Sequence, residues 1–452
     1  MSQEVFFHHA LKINKEACKG CMHCMKACPT QAIRMRGGVA RLLPNRCVDC
    51  GECYNACPHR AVTIEHDDFD TIFKYEHRIA LTSSVLFNQF DESISTKLIY
   101  DVIKDLGFTH IFEVEHLAGY LIDEQQKFAD EHPNIRPIIS NFCPAVVRLI
   151  QVRFPALVDN CIRLKPPVDI AAMYWRKLME KKGIDNSKVG LFYITPCAAK
   201  IAAIKKPESE AYSLIDGVIN MDIVYNRVLR TIKEKHLVSN SEYVQSSKLS
   251  SRASLFTTTS GEQRNIKGKS MAVDGINNVV EFLEKVENDE LNDVDFLEMR
   301  VCDQSCTGGI LVTGNRFMTS ERMRKRAETI RQQELDNKRD KLEISDDIVQ
   351  YLLDNMKLDK LIPRSMMKLD DDISVAIKKM SLIQELMKQL PGVDCGICGA
   401  PTCQALAEDI AKVEATMMNC VFWQTEMEEK GSMTSEERVS TFRKIWRKRE
   451  LE

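Results

Sequence analysis

Three absences in this 452-residue sequence each exclude a class of protein. No apolar run is long enough to span a bilayer, so a helical membrane protein is excluded. Charge of one sign is missing as well: 62 Lys+Arg against 65 Asp+Glu leave a formal net charge of −3. That balance argues against a general nucleic-acid binder and against a polybasic membrane-surface protein. The opening Met1-Ser2-Gln3-Glu4-Val5 has neither a charged-then-apolar signal pattern nor a twin-arginine address. A cytoplasmic location is the expectation, and the length allows two to four domains.

What the sequence has is cysteine, 17 residues of it, in tight clusters separated by long cysteine-free stretches. A disulfide scaffold would be short and secreted, whereas clustered cysteines in a cytosolic chain point to metal. Sixteen sort into four sets of four, and the one left over, Cys161, reads as a core residue.

The first two sets are Cys18, Cys21, Cys24, Cys28 and Cys47, Cys50, Cys53, Cys57, each followed by a proline. Both spell C-x2-C-x2-C-x3-C-P, the run that holds two [4Fe–4S] clusters in bacterial ferredoxins. Three thiolates on one tight turn reach three irons of a cubane, and the fourth crosses to the other cluster. The expected ligand sets are therefore Cys18, Cys21, Cys24, Cys57 and Cys47, Cys50, Cys53, Cys28. Structural zinc is the alternative, but zinc sites rarely carry three closely spaced cysteines plus a fourth before proline, twice over. Short apolar stretches at 32–35 and 61–64 suit the strands of a small α+β ferredoxin-like domain over residues 1–66.

After an acidic break at 65–70 the pattern changes to that of an α/β domain. Strands are expected at 77–82, 137–140, 189–194 and 296–301, with a helix over 95–106. Cys143-Pro144, Pro196-Cys197-Ala198-Ala199-Lys200 and Cys302-x3-Cys306 followed by Gly308-Gly309 each stand just after such a strand. Loops at the carboxyl ends of parallel strands are where α/β folds place ligands, and helix N-termini there favour an anionic group.

In their order these three motifs resemble the signatures of the catalytic domain of [FeFe]-hydrogenases, over a domain expected at 75–345. The resemblance implies a [4Fe–4S] cubane on Cys143, Cys197, Cys302 and Cys306, with Cys306 also bridging to a diiron subsite that bears CO and cyanide. It further implies that Lys200 hydrogen-bonds a cyanide. The chain also departs from the family. Phe142 replaces the proton-delivering cysteine, and Ala203 stands where a glutamate is expected. Arg300 replaces a methionine beside the diiron site, Ser305 a glycine, and Ile310 interrupts the glycine run. The normal proton relay is cut, so fast hydrogen turnover is not expected. The first motif is similar to that of a putatively sensory class.

The fourth set, Cys395, Cys398, Cys403 and Cys420, has the spacing C-x2-C-x4-C-x16-C and resembles the small [4Fe–4S] domain of redox proteins such as the corrinoid iron–sulfur protein. A mostly helical domain is expected over 375–435. The 320–345 stretch reads as a solvated helix with a narrow stripe of Met323, Ala327 and Ile330. A basic amphipathic tail follows at 436–452, with Val439, Phe442, Ile445 and Trp446 at helical spacing among Arg443, Lys444, Arg447, Lys448 and Arg449. Docking on its own body is expected for the tail, contact with a partner being the sharper reading.

The sequence thus implies four [4Fe–4S] clusters, with the diiron subsite left open. The reading is an iron–sulfur redox subunit with sensory or slow hydrogen chemistry. The alternative is an electron-transfer or scaffold subunit that kept the cubane and lost diiron. No PAS-like, kinase or DNA-binding module is recognisable, so output is expected to pass through a separate redox or signalling subunit, with H2 as the small-molecule partner. The thiolate-bound clusters suggest an anaerobic host.

Overall fold

The computed structural model describes residues 7–207, 210–237, 248–336, 342–364, 369–370 and 372–446. Arg447, Lys448 and Arg449 of the tail and the opening six residues lie outside the described residues. Among the described residues no helix is long and apolar enough to cross a membrane. The chain divides into two compact units. One collects Met1–Cys47, Gly51–Ile64 and Arg364–Glu452; the other collects Val48–Cys50 and Glu65–Pro363. The ferredoxin-like segment and the C-terminal cysteine set therefore share a unit.

In the first unit, β1 (Leu11–Ile13) pairs antiparallel with β4 (Val62–Ile64), and β2 (Ile33–Arg36) with β3 (Val39–Leu42). Between them lie two four-residue helices, His23–Lys26 and Glu52–Asn55. The C-terminal segment adds helices Ile373–Gln389, Cys403–Ala411, Val421–Glu429 and Ser435–Ile445. Its small core gathers Ile383, Leu386, Leu390, Leu406 and Ala407 around Cys398, Cys403 and Cys420. Helix Cys403–Ala411 is fixed to the ferredoxin strands by buried ions. Asp409 accepts from Arg34 Nε at 2.8 Å and from Arg36 Nη2 at 2.5 Å, and Glu408 accepts from Arg46. In the tail helix Ile445 is buried, while Val439 and Phe442 remain 48% and 41% exposed.

The second unit is built on parallel strands, as its near-continuous apolar runs require. A four-stranded sheet has the order β6 (His110–Glu113), β5 (His77–Thr82), β8 (Val189–Thr195), β9 (Gly217–Asn220). A three-stranded sheet has the order β10 (Ser270–Asp274), β11 (Phe296–Arg300), β7 (Ile138–Ile139). All seven residues of β8 are buried, and Ile79 to Leu81 of β5 lie beside it in register with Leu191 to Tyr193. Each such aliphatic side chain contributes roughly 1.5–3 kcal/mol through burial. Cys161 is buried in this unit, with its Sγ 3.9 Å from Leu157 O.

The helix foreseen over 320–345 runs from Arg316 to Leu335, and residues 337–341 lie outside the described residues. Its stripe of Met323, Ala327 and Ile330 is buried as its spacing suggests. Arg326, however, is also buried, holding Glu113 through both Nη atoms at 2.9 and 2.8 Å. A charge run read as solvated hides such a partner because Glu113 is far away in sequence.

Asp409→Ala strands Arg34, whose side chain is 3% exposed, as an uncompensated buried charge. The expected loss is about 3–5 kcal/mol, read as a lower urea midpoint for the unit that holds the C-terminal segment.

Candidate functional site: four cysteine constellations

The two ferredoxin motifs fold alike. Each residue of the first has a counterpart 29 positions on, Cys18 to Cys47 setting the offset. Left-handed backbone recurs in pairs at Gly20 and Asp49, Met22 and Gly51, Gln31 and Arg60. These reversals wrap each loop so that successive thiols face inward. Cys18, Cys21, Cys24 and Cys57 line one cavity. Burial, then the neighbouring Cys18, Cys21 and Cys57, push the Cys24 thiol up to about 12. Backbone N–H groups point at the sulfurs: Ala61 donates to Cys57 at 3.2 Å, Ala40 to Cys18 at 3.4 Å and Ala32 to Cys28 at 3.2 Å. Cys47 and Cys53 are buried, while Cys50 lines a cavity of the second unit.

That second cavity gathers Cys143, Cys197, Cys302 and Cys306 from three loops. Cys143 follows β7 as the N-cap of helix Pro144–Arg153, and Cys197 follows β8 as the N-cap of helix Ala198–Lys205. Both thiols thus sit at the positive end of a helix dipole, which favours a thiolate-ligated anion. Cys302 and Cys306 lie on the turn after β11, which passes through left-handed Gln304 and Ser305. Gly309 lets this turn press on the Cys197 loop: a Cβ there would meet Pro196 O at 2.5 Å. Burial pushes the Cys197 thiol up to about 12 and the Cys302 thiol well above its usual value. Bare thiolates are therefore disfavoured here.

Lys200, Arg300 and Phe142 line the same cavity. Lys200 Nζ donates to Cys306 Sγ at 3.7 Å and lies 4.2 Å from the centre of the Phe142 ring. Burial disfavours its charge, but Cys306, Tyr193 and Cys197 outweigh that and hold the ammonium protonated. The Arg300 guanidinium stacks 3.8 Å from the Phe142 ring centre. Arg300 Nη2 donates to Glu262 at 2.6 Å, and Nε lies 3.5 Å from Glu298. Glu262 also accepts from Gln125 Nε2 at 2.6 Å and from Ser140 Oγ. Sequence reasoning singled out Arg300 but missed this carboxylate cradle. Glu298, two residues before Arg300 on β11, shares its strand face and was findable; Glu262 carries no sequence signal.

In the C-terminal set, Cys398, Cys403 and Cys420 are buried and Cys395 is half-buried. Burial, then the backbone of Ala400 in opposition, then Cys395, Cys420 and Cys403 set the Cys398 thiol at about 11. Cys403 N–H donates to Asp394 at 2.6 Å, and Thr402 caps the helix through Ala405 N–H at 3.0 Å.

A family model described as the C-terminal domain of the iron-only hydrogenase large subunit matches residues 76–224 and 223–310. The chain belongs to that family. Residues 10–58 match a 4Fe–4S dicluster domain, and residues 390–422 match a putative Fe–S cluster domain. It is therefore a hydrogenase-like iron–sulfur protein with a 4Fe–4S dicluster domain before the hydrogenase-like domain and an Fe–S domain after it. Among solved structures, the [FeFe]-hydrogenase HydA1 from Chlamydomonas reinhardtii is similar at 15% identity, over 66% of this chain and 98% of that chain, with a TM-score of 0.45. A structure described as revealing stepwise [FeFe]-hydrogenase H-cluster assembly, HydA(deltaEFG), gives the same identity, shares and TM-score of 15%, 66%, 98% and 0.45. No curated protein sequence matches the chain.

Two carboxylates at the end of β6 complete the electrostatics. Burial disfavours charge on Glu113, but Arg326 overcomes it and holds the group down at about 2. Glu115 accepts from Ser83 Oγ at 2.7 Å and Ser84 N–H at 3.1 Å, yet burial and then the Glu113 charge push it up to about 7. Between its ordinary 4.5 and about 7 the folded chain holds a proton that the unfolded chain has released. Stability therefore falls as pH rises through that window, by up to about 3 kcal/mol. Denaturation midpoints measured across the window should show this slope in the wild type and lose it in Glu115→Gln.

Proposed function

We propose that this chain is an electron-transfer subunit derived from a hydrogenase, whose α/β domain holds a [4Fe–4S] cubane without a diiron subsite. One observation carries the reading. The Phe142 ring carries the Lys200 ammonium 4.2 Å and the Arg300 guanidinium 3.8 Å from its centre, where the family resemblance would place the wall of a diiron pocket. That stack, with Lys200 Nζ 3.7 Å from Cys306 Sγ, supports a four-cysteine cubane without a diiron unit on Cys306. Phe142 also has no ionisable hydrogen with which to serve a hydride-forming site.

In this reading Cys143, Cys197, Cys302 and Cys306 hold the cubane, and the three remaining cysteine sets hold one [4Fe–4S] cluster each. Such clusters supply reversible one-electron storage at potentials set by charge and hydrogen bonding. The chain's own residues do the tuning. Lys200 places a cation against the Cys306 sulfur, and Arg300 adds a second, kept in place by Glu262 and Glu298. Phe142, which lines the cavity, is backed by Phe256 edge to face at 5.2 Å. Cys50 and Cys302 line the same cavity. The partner is a separate redox or signalling subunit.

A second reading, a sensory or slow hydrogen-reacting subunit, is favoured by Lys200, which is retained, buried and aimed at Cys306. Infrared spectroscopy separates the two on protein purified anaerobically after co-expression with diiron maturation enzymes. The expected result is iron and sulfide at four-cubane levels with no metal-bound CO or cyanide bands. Sharp bands that shift under hydrogen would overturn the proposal in favour of the sensory reading.

A further inference from the structure

The C-terminal cysteine set lies against the first ferredoxin set, and the residues between them belong to both. Strand β2 carries the contact: Met35 N–H donates to Gly399 O at 2.8 Å, and Arg36 Nη1 reaches the same oxygen at 3.2 Å. Gly399, between Cys398 and Cys403, has no room for a side chain, since a Cβ would meet Met35 O at 2.3 Å. Gly396, between Cys395 and Cys398, has a φ of +79°; a Cβ there would lie 3.1 Å from Met25 Cε and 3.8 Å from Met22 Sδ. Met22 and Met35 in turn line the cavity of Cys18, Cys21, Cys24 and Cys57.

Trp446 closes the other side. Its indole N–H donates to Ile397 O at 3.0 Å, inside the Cys395–Cys398 turn. Its ring lies 3.7 Å from where a Cβ on Gly20 would stand, inside the Cys18–Cys21 turn. Gly38 N–H holds the preceding residue through Ile445 O at 2.7 Å. The ion pairs of Arg34 and Arg36 with Asp409, and of Arg46 with Glu408, clamp the helix that begins at Cys403.

We infer that the C-terminal site is electronically in series with the first ferredoxin site, through a wall one side chain thick made by Met22, Met25, Met35 and Trp446. The C-terminal module is thus an electron port of the ferredoxin. The wall is apolar and polarisable, so little solvent reorganisation opposes transfer across it. The step is a single electron without a proton: the reduced C-terminal site is oxidised and the oxidised ferredoxin site is reduced. A low-potential one-electron donor, dithionite in the experiment below, refills the port. The inference rests on the proposal that both cysteine sets hold [4Fe–4S] clusters.

The test is electron paramagnetic resonance of the anaerobically reconstituted, dithionite-reduced full chain. The wild type is compared with Cys398→Ser/Cys420→Ser, which removes the C-terminal site. It is compared separately with Cys24→Ser/Cys57→Ser, which removes the first ferredoxin site. Each pair should lose about four iron per chain. Series coupling predicts that each wild-type-minus-variant difference is a split, broadened signal, because the removed spin was interacting with its neighbour. The C-terminal variant's difference spectrum decides, because the first ferredoxin spin also neighbours the second ferredoxin cluster; Cys395→Ser, at the half-buried position, takes its place if the pair does not fold. A loss of about four iron with a simple, unsplit rhombic difference from the C-terminal variant overturns the inference and leaves the cluster assignment standing. No loss of iron from that variant overturns both.

Discussion

Thiolates cannot be gathered in a protein interior unless positive charge is gathered with them, and this constraint organises the whole molecule. Burial raises the thiols of Cys24, Cys197 and Cys398 to about 11 or 12, so none of these sites is stable as bare thiolate. Iron meets most of the demand in the proposed sites. The polypeptide meets the rest with inward backbone N–H groups at Cys18, Cys28 and Cys57, helix N-termini at Cys143 and Cys197, and the Lys200 ammonium at Cys306.

The same constraint gives meaning to the buried arginines. Arg300 beside the thiols is held by Glu262, and Arg148, at the far end of the first turns of the Cys143 helix, pairs with Asp49 at 2.7 Å. Arg34 and Arg36 share Asp409. A buried pair of this kind adds little net stability compared with apolar packing, but removing one partner is costly. Their effect is to allow one arrangement of the cysteine-bearing loops and to penalise others. Arg300 shows how far this can change a site: a cation and a phenyl ring stack at the positions where the family resemblance implies a thioether and a thiol.

Much of this was legible without coordinates because it is local. The C-x2-C-x2-C-x3-C-P repeats dictate their own turns, and the left-handed positions recur 29 residues apart with the motif. Strands β5 and β8 announced themselves as short apolar runs, β8 ending beside Pro196, and Pro144 marked its helix start. The long charged helix was less transparent. Its apolar stripe was visible, yet the burial of Arg326 depends on Glu113, which comes from β6. The carboxylates around Arg300 were hidden for the same reason, and so was the docking of Trp446 onto Ile397.

The sequence by itself determined the family, the parallel α/β character and the grouping of sixteen cysteines, because cluster ligation and strand periodicity are written in spacings of a few residues. Only the tertiary structure decided which charges face the thiols, how Phe142, Lys200 and Arg300 meet, and that the last cysteine set shares a unit with the first. Those outcomes depend on pairs hundreds of residues apart, such as Arg34 with Asp409, whose attraction acts through space and leaves no periodic trace along the chain.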